Sequence, residues 1–307
     1  MRKIATSLVC AVIVGPFGAV AAHAAPPNSQ TATPQIRTYV SGAGKDSNPC
    51  TATSPCQTFQ GALALTIAGG EIFVLDSANY GAVNINKAVS ITSEGAVAGV
   101  LATSGAAITI NAGANDTIYL RGMDIDGGHS GAVGIQFVSG ASLNIQKSTV
   151  RAFANSGISF APNTASSLFV SDTHVTGNGN NGILVSAGGS NTVNAVLNRV
   201  TASRNGVGIF GNGARANVTM TDTVSSNNSY GVGASSSPVM VRNSTLSNNN
   251  VGIAADQSAI VLVGQSTITA NGTGWTSMNG GQVLSYSNNN VSGNTVDGTL
   301  ASTVSLK

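Results

Sequence analysis

The stretch Leu143-Asn-Ile-Gln-Lys-Ser-Thr-Val150 shows the pattern on which most of the chain is built. Leu143 and Ile145 are apolar and lie two residues apart, so both point to the same side of a β-strand. Val150 follows after a polar segment that is suited to a corner. The same spacing of apolar residues occurs in three further segments: Leu168-Phe-Val-Ser-Asp-Thr-His-Val175, Val239-Met-Val-Arg-Asn-Ser-Thr-Leu246 and Val261-Leu-Val-Gly-Gln-Ser-Thr-Ile268.

The last apolar position of this pattern recurs every 22 to 25 residues, at Ile125, Val150, Val175, Val200, Val224, Leu246, Ile268 and Val291. A unit of this length holds three short strands, but it cannot bury its own apolar face, so successive units must stack. Crossovers between parallel strands are almost always right-handed. The sequence therefore predicts an all-β fold, a single-stranded right-handed parallel β-helix of about ten coils. Around Val224 a gapless alignment instead places Ser225 level with Val175.

Glycine and asparagine recur at the predicted corners. Seven glycines each precede an apolar or aromatic residue, and asparagines lie two or three residues before many of them, at Asn155, Asn205, Asn228, Asn249 and Asn271. Asparagine tolerates the left-handed conformation, and stacked side-chain amides can bond to one another from coil to coil. We therefore interpret these residues as a structural ladder rather than as a polar binding site.

The first residues have the features of a secretory signal peptide. A basic start, Met1-Arg-Lys3, precedes an almost wholly apolar run and an Ala22-His-Ala24 cleavage motif. We expect residues 1–24 to be removed, residues 25–36 to form a linker, and the protein to be secreted or periplasmic. Since no later apolar run approaches the ~20 residues of a spanning helix, we expect no membrane span in the mature chain.

The charge of the mature chain is balanced. Removal of Arg2 and Lys3 leaves 11 basic and 11 acidic residues, and only 8% of the whole sequence is charged. Binding to nucleic acid depends on clustered positive charge, so this composition argues against a nucleic-acid partner.

An N-terminal cap is expected before the coils. Cys50 and Cys56 are the only cysteines of the mature chain, and an even number in an exported protein predicts a disulfide. Residues 57–67 have the apolar spacing of a helix that ends at Gly69-Gly70. We assign residues 37–70 to this cap, which covers the raw end of the solenoid, and residues 71–307 to the β-helix and a C-terminal cap. Trp275 is expected to pack in the core or in the cap rather than to stack against a sugar.

The segment Tyr39-Val-Ser-Gly-x-Gly-x-Asp46-x-Asn-Pro-Cys50, followed by Pro55-Cys-x-Thr-Phe59, resembles the N-terminal cap of secreted bacterial parallel β-helix proteins of the pectin-lyase-like superfamily. The repeats that begin at Leu120 resemble the same group. The resemblance implies the fold, but the superfamily includes lyases, hydrolases, epimerases and non-catalytic proteins, so it does not choose an activity. The chain lacks the Asp-Asp, Gly-His-Gly and Arg-Ile-Lys motifs of polygalacturonases.

One concentration of charge stands out when the coils are aligned. Its members are Asp124, Asp126, Lys147, Arg151, Asp172, His174 and Arg199; we call this set the charged flank. All except Arg199 are candidate catalytic residues, because carboxylates beside basic groups can transfer protons at a glycosidic bond. Asp126 and Asp172 are also candidate Ca²⁺ ligands for a lyase. The alternative is that Asp126–Arg151 and Lys147–Asp172 are cross-strand ion pairs on a solvated surface.

Two functions follow from these observations. In the first, the protein is a non-catalytic, monomeric β-helix protein that binds a polysaccharide or a cell-surface component, or has a structural role, and needs no cofactor. In the second, it is a polysaccharide lyase or glycoside hydrolase that acts on a pectin-like polysaccharide through the charged flank, with Ca²⁺ as an optional cofactor. The balanced charge and the missing catalytic motifs favour the first.

Overall fold

The computed structural model describes residues 33–300 and 302–305. The predicted signal peptide, residues 1–24, and most of the predicted linker lie outside the described residues. Within the described ranges no helix is long and apolar enough to cross a membrane.

In chain order the described elements are β1 (Gln35–Val40), α1 (Phe59–Leu65), β2 (Thr66–Val74), β3 (Ala78–Asn79), β4 (Val83–Ile85), β5 (Val89–Thr92), β6 (Ala98–Leu101), β7 (Ala106–Asn111), β8 (Thr117–Arg121), β9 (Met123–Asp126), β10 (Val133–Ser139), β11 (Ser142–Gln146), β12 (Thr149–Arg151), β13 (Ile158–Phe160), β14 (Ser166–Thr176), β15 (Asn181–Ser186), β16 (Val193–Ser203), β17 (Val207–Asn212), β18 (Ala216–Thr221), β19 (Val224–Ser226), β20 (Tyr230–Ser235), β21 (Pro238–Arg242), β22 (Thr245–Ser247), β23 (Val251–Asp256), β24 (Ile260–Gly264), β25 (Thr267–Thr269), β26 (Thr273–Ser277), β27 (Gln282–Ser285), β28 (Asn290–Val291) and β29 (Ser302–Thr303).

The strands stack into three faces, and each coil contributes one strand to each face. The first face contains β1, β2, β5, β8, β11, the first half of β14, the first half of β16, β18, β21, β24, β27 and β29. The second face contains β3, β6, β9, β12, the second halves of β14 and β16, β19, β22, β25 and β28. The third face contains β4, β7, β10, β13, β15, β17, β20, β23 and β26.

Neighbouring strands within each face pair in parallel, so the predicted parallel β-helix is confirmed. The nine strands of the third face correspond to about nine turns, where the sequence predicted about ten. Inward side chains of all three faces form one core. In the coil formed by β11, β12 and β13, the buried residues are Leu143, Ile145, Val150, Ile158 and Phe160. Trp275 is buried as expected, level with Ile253 of the preceding coil.

The inward column of the second face departs from the sequence alignment in two coils. Val175 pairs with Ala202, and Ala202 pairs with Ser225. The assignment of Val200 and Val224 to this column is therefore wrong, whereas the alternative placement of Ser225 is confirmed. Val200 instead lies level with Thr173. A small or polar residue is tolerated in the core here because the hydroxyl of Ser225 donates to the carbonyl of Gly231 at 2.7 Å.

The corner between the second and third faces contains the predicted amide ladder. Each Nδ2 donates to the Oδ1 of the next coil, at 2.9 to 3.2 Å, along Asn178, Asn205, Asn228, Asn249, Asn271 and Asn294. The ladder begins at Asn178, which the sequence reading missed. Asn155 is wrongly included, since it is exposed and Phe153 occupies its place in that coil.

A second ladder occupies the corner between the first and second faces. In successive coils the residue at this corner adopts a positive φ, between 46° and 53° for the non-glycine members Lys147, Asp172, Arg199, Asp222, Asn243 and Gln265. A buried hydroxyl follows most of them and accepts a backbone N–H from the preceding coil, as Ser244 does from Thr223 at 3.2 Å. Polar side chains at this corner are therefore directed outward by the backbone conformation.

The N-terminal cap is held by polar contacts that explain its sequence motif. Asp46 accepts hydrogen bonds from the backbone of Gln57 and Thr58, each at 2.9 Å, and from the Thr58 hydroxyl at 2.7 Å. Thr58 in turn caps α1 by accepting from the N–H of Gly61. The Cys50–Cys56 disulfide is confirmed and fully buried.

The helix is shorter than predicted and ends at Leu65. Gly69 and Gly70 do not end it but lie within β2, where Gly69 has a φ of 78°.

Candidate functional site

The structure places the charged flank on two adjoining parts of the surface. Asp124 and Asp126 of β9, Arg151 of β12 and His174 of β14 project from the second face. Lys147, Asp172 and Arg199 project from the neighbouring corner, and all three have a positive φ. The coils thus bring the predicted residues to one side of the solenoid.

Arg151 lies between the two aspartates of the preceding coil. Its Nε is 2.9 Å from Oδ2 of Asp126, and its two terminal nitrogens donate to the carboxylate of Asp124. The hydrogen bonds that Arg151 donates to Asp124, together with the negative charge of both aspartates, raise the pKa of Arg151. The predicted Asp126–Arg151 ion pair is confirmed, and Asp124 is a further member of it.

Asp172 forms a two-point contact with Arg199 of the next coil. Nε of Arg199 is 2.6 Å from Oδ1 of Asp172, and Nη2 is 2.9 Å from Oδ2. These bonds lower the pKa of Asp172. The prediction of a Lys147–Asp172 ion pair is wrong, because Lys147 has no ion pair with any carboxylate that the structure describes. The charge of Lys147 is only the smallest of the causes that lower the pKa of Asp172.

The shift in register explains the different partner. The spacing of apolar residues in the sequence predicts that Val200 is the inward residue of its coil, which would set Arg199 out of register with Asp172. In the structure Val200 lies level with Thr173, so Arg199 lies level with Asp172.

His174 is exposed and stands apart from the carboxylates. His174 pairs with Thr149, which in turn pairs with Asp124, so the imidazole lies two coils away from that aspartate, with the coil of Thr149 between them. At the usual spacing of parallel strands this is ~10 Å. Direct proton transfer between the two groups is not possible at that separation.

The two candidate Ca²⁺ ligands are also separated. Asp126 lies on the second face and Asp172 at the corner two coils further on, and each carboxylate already has an arginine partner. Within residues 33–300 and 302–305 no group of three or more His, Cys, Asp or Glu side chains is arranged to hold a metal ion. These residues do not fit a Ca²⁺ site.

The first face carries a surface that the charged flank does not include. Its outward residues form two parallel rows along the solenoid axis. The row nearer the middle of the face contains Ser90, Tyr119, Asn144, Phe169, Val196, Thr219, Met240, Leu262 and Leu284. The row beside the corner contains Thr92, Arg121, Gln146, Ser171, Asn198, Thr221, Arg242 and Gly264. We call the two rows together the first-face groove.

The N-terminal part of this groove is a cleft of about 390 Å³, whose lining includes Tyr119, Arg121, Asn144 and Gln146. The Tyr119 side chain is 49% exposed although it is large and aromatic. Arg121 donates to Oε1 of Gln146 at 3.1 Å, and its Nε is 3.4 Å from Glu94. An exposed aromatic ring thus lies beside amide and guanidinium groups whose orientation is fixed.

The C-terminal part of the groove contains a larger cavity of about 710 Å³. Its walls include Met240, Arg242 and Tyr286 from the face, and Val304 and Ser305, which follow β29. Strand β29 pairs with β27 and so extends the first face by one coil at this end.

The sequence contained a signal for this groove that the apolar pattern hid. The unspecified residue between the first two apolar positions of each repeat is the one that points outward, and it is Phe169 in one coil and Met240 in another. Val196 has the same outward position and is 42% exposed. Apolar residues at outward positions that alternate with buried ones indicate a surface that can contact a ligand when several of them lie side by side.

Comparisons with known proteins give structural likeness without sequence likeness. No protein-family model matches the chain, and no curated protein matches it in sequence. The crystal structure of a pectate lyase superposes with a TM-score of 0.69 at 15% identity, over 90% of this chain and 80% of that one. A rhamnogalacturonan lyase gives a TM-score of 0.57 at 13% identity, over 76% of both chains.

A third structure is the A-module of a mannuronan C-5 epimerase from Azotobacter vinelandii. It gives a TM-score of 0.52 at 10% identity, over 78% of this chain and 91% of the module. Together with the parallel three-faced solenoid, these likenesses show that the chain has a parallel β-helix fold like that of these structures.

Proposed function

We propose that this chain is an exported β-helix protein that binds a glycan chain along its first-face groove and does not cleave it. The observation that carries the proposal is the pair of rows on that face, in which Tyr119, Phe169 and Val196 stand beside Arg121, Gln146 and Asn198. The groove runs along the stacking direction, so its length suits an extended polymer rather than a compact ligand.

The two rows provide the two kinds of contact that a sugar needs. The apolar face of a pyranose ring packs on an aromatic side chain, while its hydroxyls bond to groups that both donate and accept. Asn144 and Gln146 are amides of this kind beside Tyr119. Stacked coils repeat such groups every ~4.8 Å, so one chain can make many weak contacts at once.

The state of the carboxylates supports binding without catalysis. A general acid in glycoside hydrolysis needs a raised pKa, and a general base needs an available lone pair near the reacting bond. Asp124 and Asp126 are engaged by Arg151, and Asp172 by Arg199, with the pKa of Asp172 lowered. We infer that the ion pairs of these residues stabilise the contact between neighbouring coils.

The buried Cys50–Cys56 disulfide supports export, because disulfides persist in oxidising compartments. We propose a secreted or periplasmic protein that acts as a monomer, with a polysaccharide or a glycosylated cell-surface component as its partner.

The experiment that tests the proposal measures affinity for a panel of neutral and acidic oligosaccharides by calorimetry. We expect Tyr119→Ala and Phe169→Ala each to lower the affinity for the oligosaccharide that binds by about tenfold, or ~1.4 kcal/mol. Tyr230→Ala is the matched control, since Tyr230 is 39% exposed on the third face. Equal affinities for the wild type and both first-face variants would exclude the groove as the binding surface.

A second candidate function is polysaccharide cleavage. The observation in its favour is Lys147, a basic residue that follows Gln146 of the groove and has no ion pair with any described carboxylate. A lyase needs a basic residue of this kind to remove a proton beside the carboxylate of its substrate. Formation of unsaturated sugar products by the wild type, and their loss in Lys147→Ala, would establish this alternative.

A further inference from the structure

The third face of the solenoid carries a concave region that is separate from the first-face groove. Its volume is about 270 Å³, and its lining includes Val207, Phe210, Tyr230, Ala254, Asp256 and Met278; we call it the third-face depression. Tyr230 is 39% exposed and Met278 is 42% exposed, although both side chains are large. Pockets for drug-sized ligands measure roughly 300–1,000 Å³, so a depression of this size suits a single side chain.

The depression arises from a change of side-chain size along one outward row of the third face. In consecutive coils this row contains Phe210, Gly233 and Ala254. A Cβ built on Gly233 would lie 2.9 Å from the ring of Phe210, so the glycine allows the ring to lie close to the backbone of the next coil. Gly233 and Ala254 are too small to fill the space beyond the ring. They form the floor of the depression, and the ring forms an apolar wall.

The other end of the depression is closed by Met278, one coil beyond Ala254. Its backbone is fixed at the end of β26, because its N–H donates to the carbonyl of Ala255 at 2.9 Å and its carbonyl accepts from Gly281 at 2.8 Å. Tyr230 borders the depression at the start of β20, and Asp256 borders it at the end of β23. The walls are therefore apolar on three sides, and a carboxylate stands on the fourth.

Asp256 carries the only charge among the described residues that line the depression. Its Oδ1 accepts from the backbone N–H of Gln257 at 2.9 Å and from Nδ2 of Asn279 at 2.8 Å. Oδ2 accepts no hydrogen bond from the described part of the chain, and none of the five ion pairs found there includes Asp256. The carboxylate is thus held in position by one oxygen, while the other is available to a positive group.

An apolar depression with a carboxylate at its edge fits a side chain that joins an apolar stem to a positive end, as lysine and arginine do. Arginine binds a carboxylate best through both oxygens, but Oδ1 of Asp256 already has two donors. The ammonium group of lysine is a point charge that needs only one oxygen. The aromatic rings of Phe210 and Tyr230 also attract a cation at close range. The geometry therefore favours lysine.

We propose that the third-face depression binds a lysine side chain of a partner protein. The ammonium group donates to Oδ2 of Asp256, and the stem packs among Phe210, Tyr230 and Met278. Because the third face is distinct from the face that carries the groove, this inference does not depend on the proposed glycan binding. It adds a protein-binding surface to the solenoid.

The test is a titration of the full chain, with its methionine methyl groups isotope-labelled, followed by nuclear magnetic resonance. Met278 reports on the depression and Met240 reports on the first-face groove. Met123 and Met220 are buried and report on the fold. The signals of Met278 and Met240 are assigned from the variants Met278→Leu and Met240→Leu. The probes are three peptides capped at both ends: Gly-Lys-Gly, the same peptide with its lysine acetylated, and Gly-Arg-Gly.

Two variants change the depression in different ways. Asp256→Asn removes the charge and keeps a side chain of the same size, whereas Ala254→Phe fills the floor. Asp116→Asn is the matched control for the first. Asp116 also lies where the chain passes from the third face to the first, it accepts from the N–H of Gly113 at 2.8 Å, and no described residue forms an ion pair with it.

We expect the lysine peptide to shift the Met278 signal and to leave the Met240 signal in place. Acetylation of the lysine and Asp256→Asn should each weaken binding at least tenfold, because each removes one charge of the pair. Ala254→Phe should bind no peptide while its Met123 and Met220 signals stay unchanged. Asp116→Asn should bind like the wild type, and the arginine peptide should bind more weakly than the lysine peptide.

The proposal is overturned if the lysine peptide does not shift the Met278 signal, or if it shifts the Met240 signal by the same amount. It is also overturned if the acetylated peptide binds as well as the lysine peptide, or if Asp116→Asn weakens binding as much as Asp256→Asn does. Tighter binding of the arginine peptide would overturn the assignment to lysine. None of these results bears on glycan binding, which Tyr119→Ala and Phe169→Ala test separately.

Discussion

The side-chain amide of Asn228 donates a hydrogen bond of 3.1 Å to the side-chain oxygen of Asn249, one coil further along the solenoid. Asn228 Nδ2 also lies 3.1 Å from the carbonyl of Ala202, and its Oδ1 accepts from the backbone N–H of Asn205 at 2.9 Å. One buried side chain therefore satisfies polar groups of three consecutive coils. Stacked parallel strands leave such groups at every corner, and the amide ladder is the means by which this chain pairs them.

The ladder predicts a large loss of stability when one amide is removed. Asn228→Ala leaves several buried donors and acceptors without partners, which should lower the free energy of unfolding by roughly 2–5 kcal/mol. The control is Asn217→Ala, because Asn217 donates to Asn194 at 2.8 Å in a similar stacked pair that is exposed. We expect the control to change stability by less than ~0.5 kcal/mol. Urea unfolding followed by circular dichroism measures both, and equal effects would contradict this account of the ladder.

The disulfide predicts a measurable stabilisation of the cap. Cys50 and Cys56 are six residues apart, and closing a loop of this length removes chain entropy worth roughly 2 kcal/mol from the unfolded state. The Cys50→Ser/Cys56→Ser variant should lose about this amount in urea unfolding, and a reductant should destabilise the wild type but not the variant. A wild type whose stability is unchanged after full reduction of the Cys50–Cys56 disulfide would contradict the prediction.

Asp76 predicts a dependence of stability on acid. Its carboxylate accepts hydrogen bonds from the Gly42 N–H at 2.8 Å, from the Ser41 hydroxyl and from the Tyr80 hydroxyl, and these lower its pKa below the usual 3.8. A lowered folded-state pKa means that the contribution is complete above the ordinary pKa and is lost as the pH falls through the folded-state value.

We therefore expect the melting temperature of the wild type to fall more steeply than that of Asp76→Asn as the pH drops below the ordinary carboxyl pKa of 3.8, because Asp76→Asn cannot titrate at this position. Ser41→Ala removes one of the donors, so it should move the acid transition to a higher pH. Identical pH profiles for the wild type and Asp76→Asn would show that Asp76 does not contribute.

The charged flank predicts a result that separates structure from catalysis. Asp126→Asn removes one ion pair with Arg151, and Arg151 keeps its contact with Asp124. Because these side chains are about one-third exposed, we expect a loss of at most ~1 kcal/mol in stability. Affinity for the glycan should not change, since Asp126 lies on the second face. A tenfold weaker affinity at unchanged stability would place this residue in the binding site.

The fold could be predicted from the sequence because the repeated apolar residues are the core residues. Leu143 and Ile145 are apolar and buried, as are their counterparts in other coils, and the alternation of apolar and polar residues indicates β-strands. The alignment failed at Val200 because Ala202 and Ser225 fill the inward column in those coils. Neither is a large apolar residue, so a pattern of large apolar residues gives no sign of them.

The candidate site was less accessible to prediction. The contact between Arg199 and Asp172 depends on the register between coils of unequal length, which the failed alignment obscured. The alternation within their strands places Tyr119 and Phe169 at outward positions, but the sequence does not show whether the surface around them is concave, since that depends on the neighbouring coils.

The most direct test of non-catalytic glycan binding measures binding and product formation in the same samples. The wild type, Tyr119→Ala/Phe169→Ala and Asp126→Ala/Asp172→Ala are incubated with a polysaccharide panel, with and without Ca²⁺, and retained protein, unsaturated products and reducing ends are quantified. We predict that the wild type and the aspartate variant are retained equally, that the aromatic variant is retained poorly, and that no sample forms products. Product formation by the wild type that disappears in the aspartate variant, with its fold intact, would contradict the account.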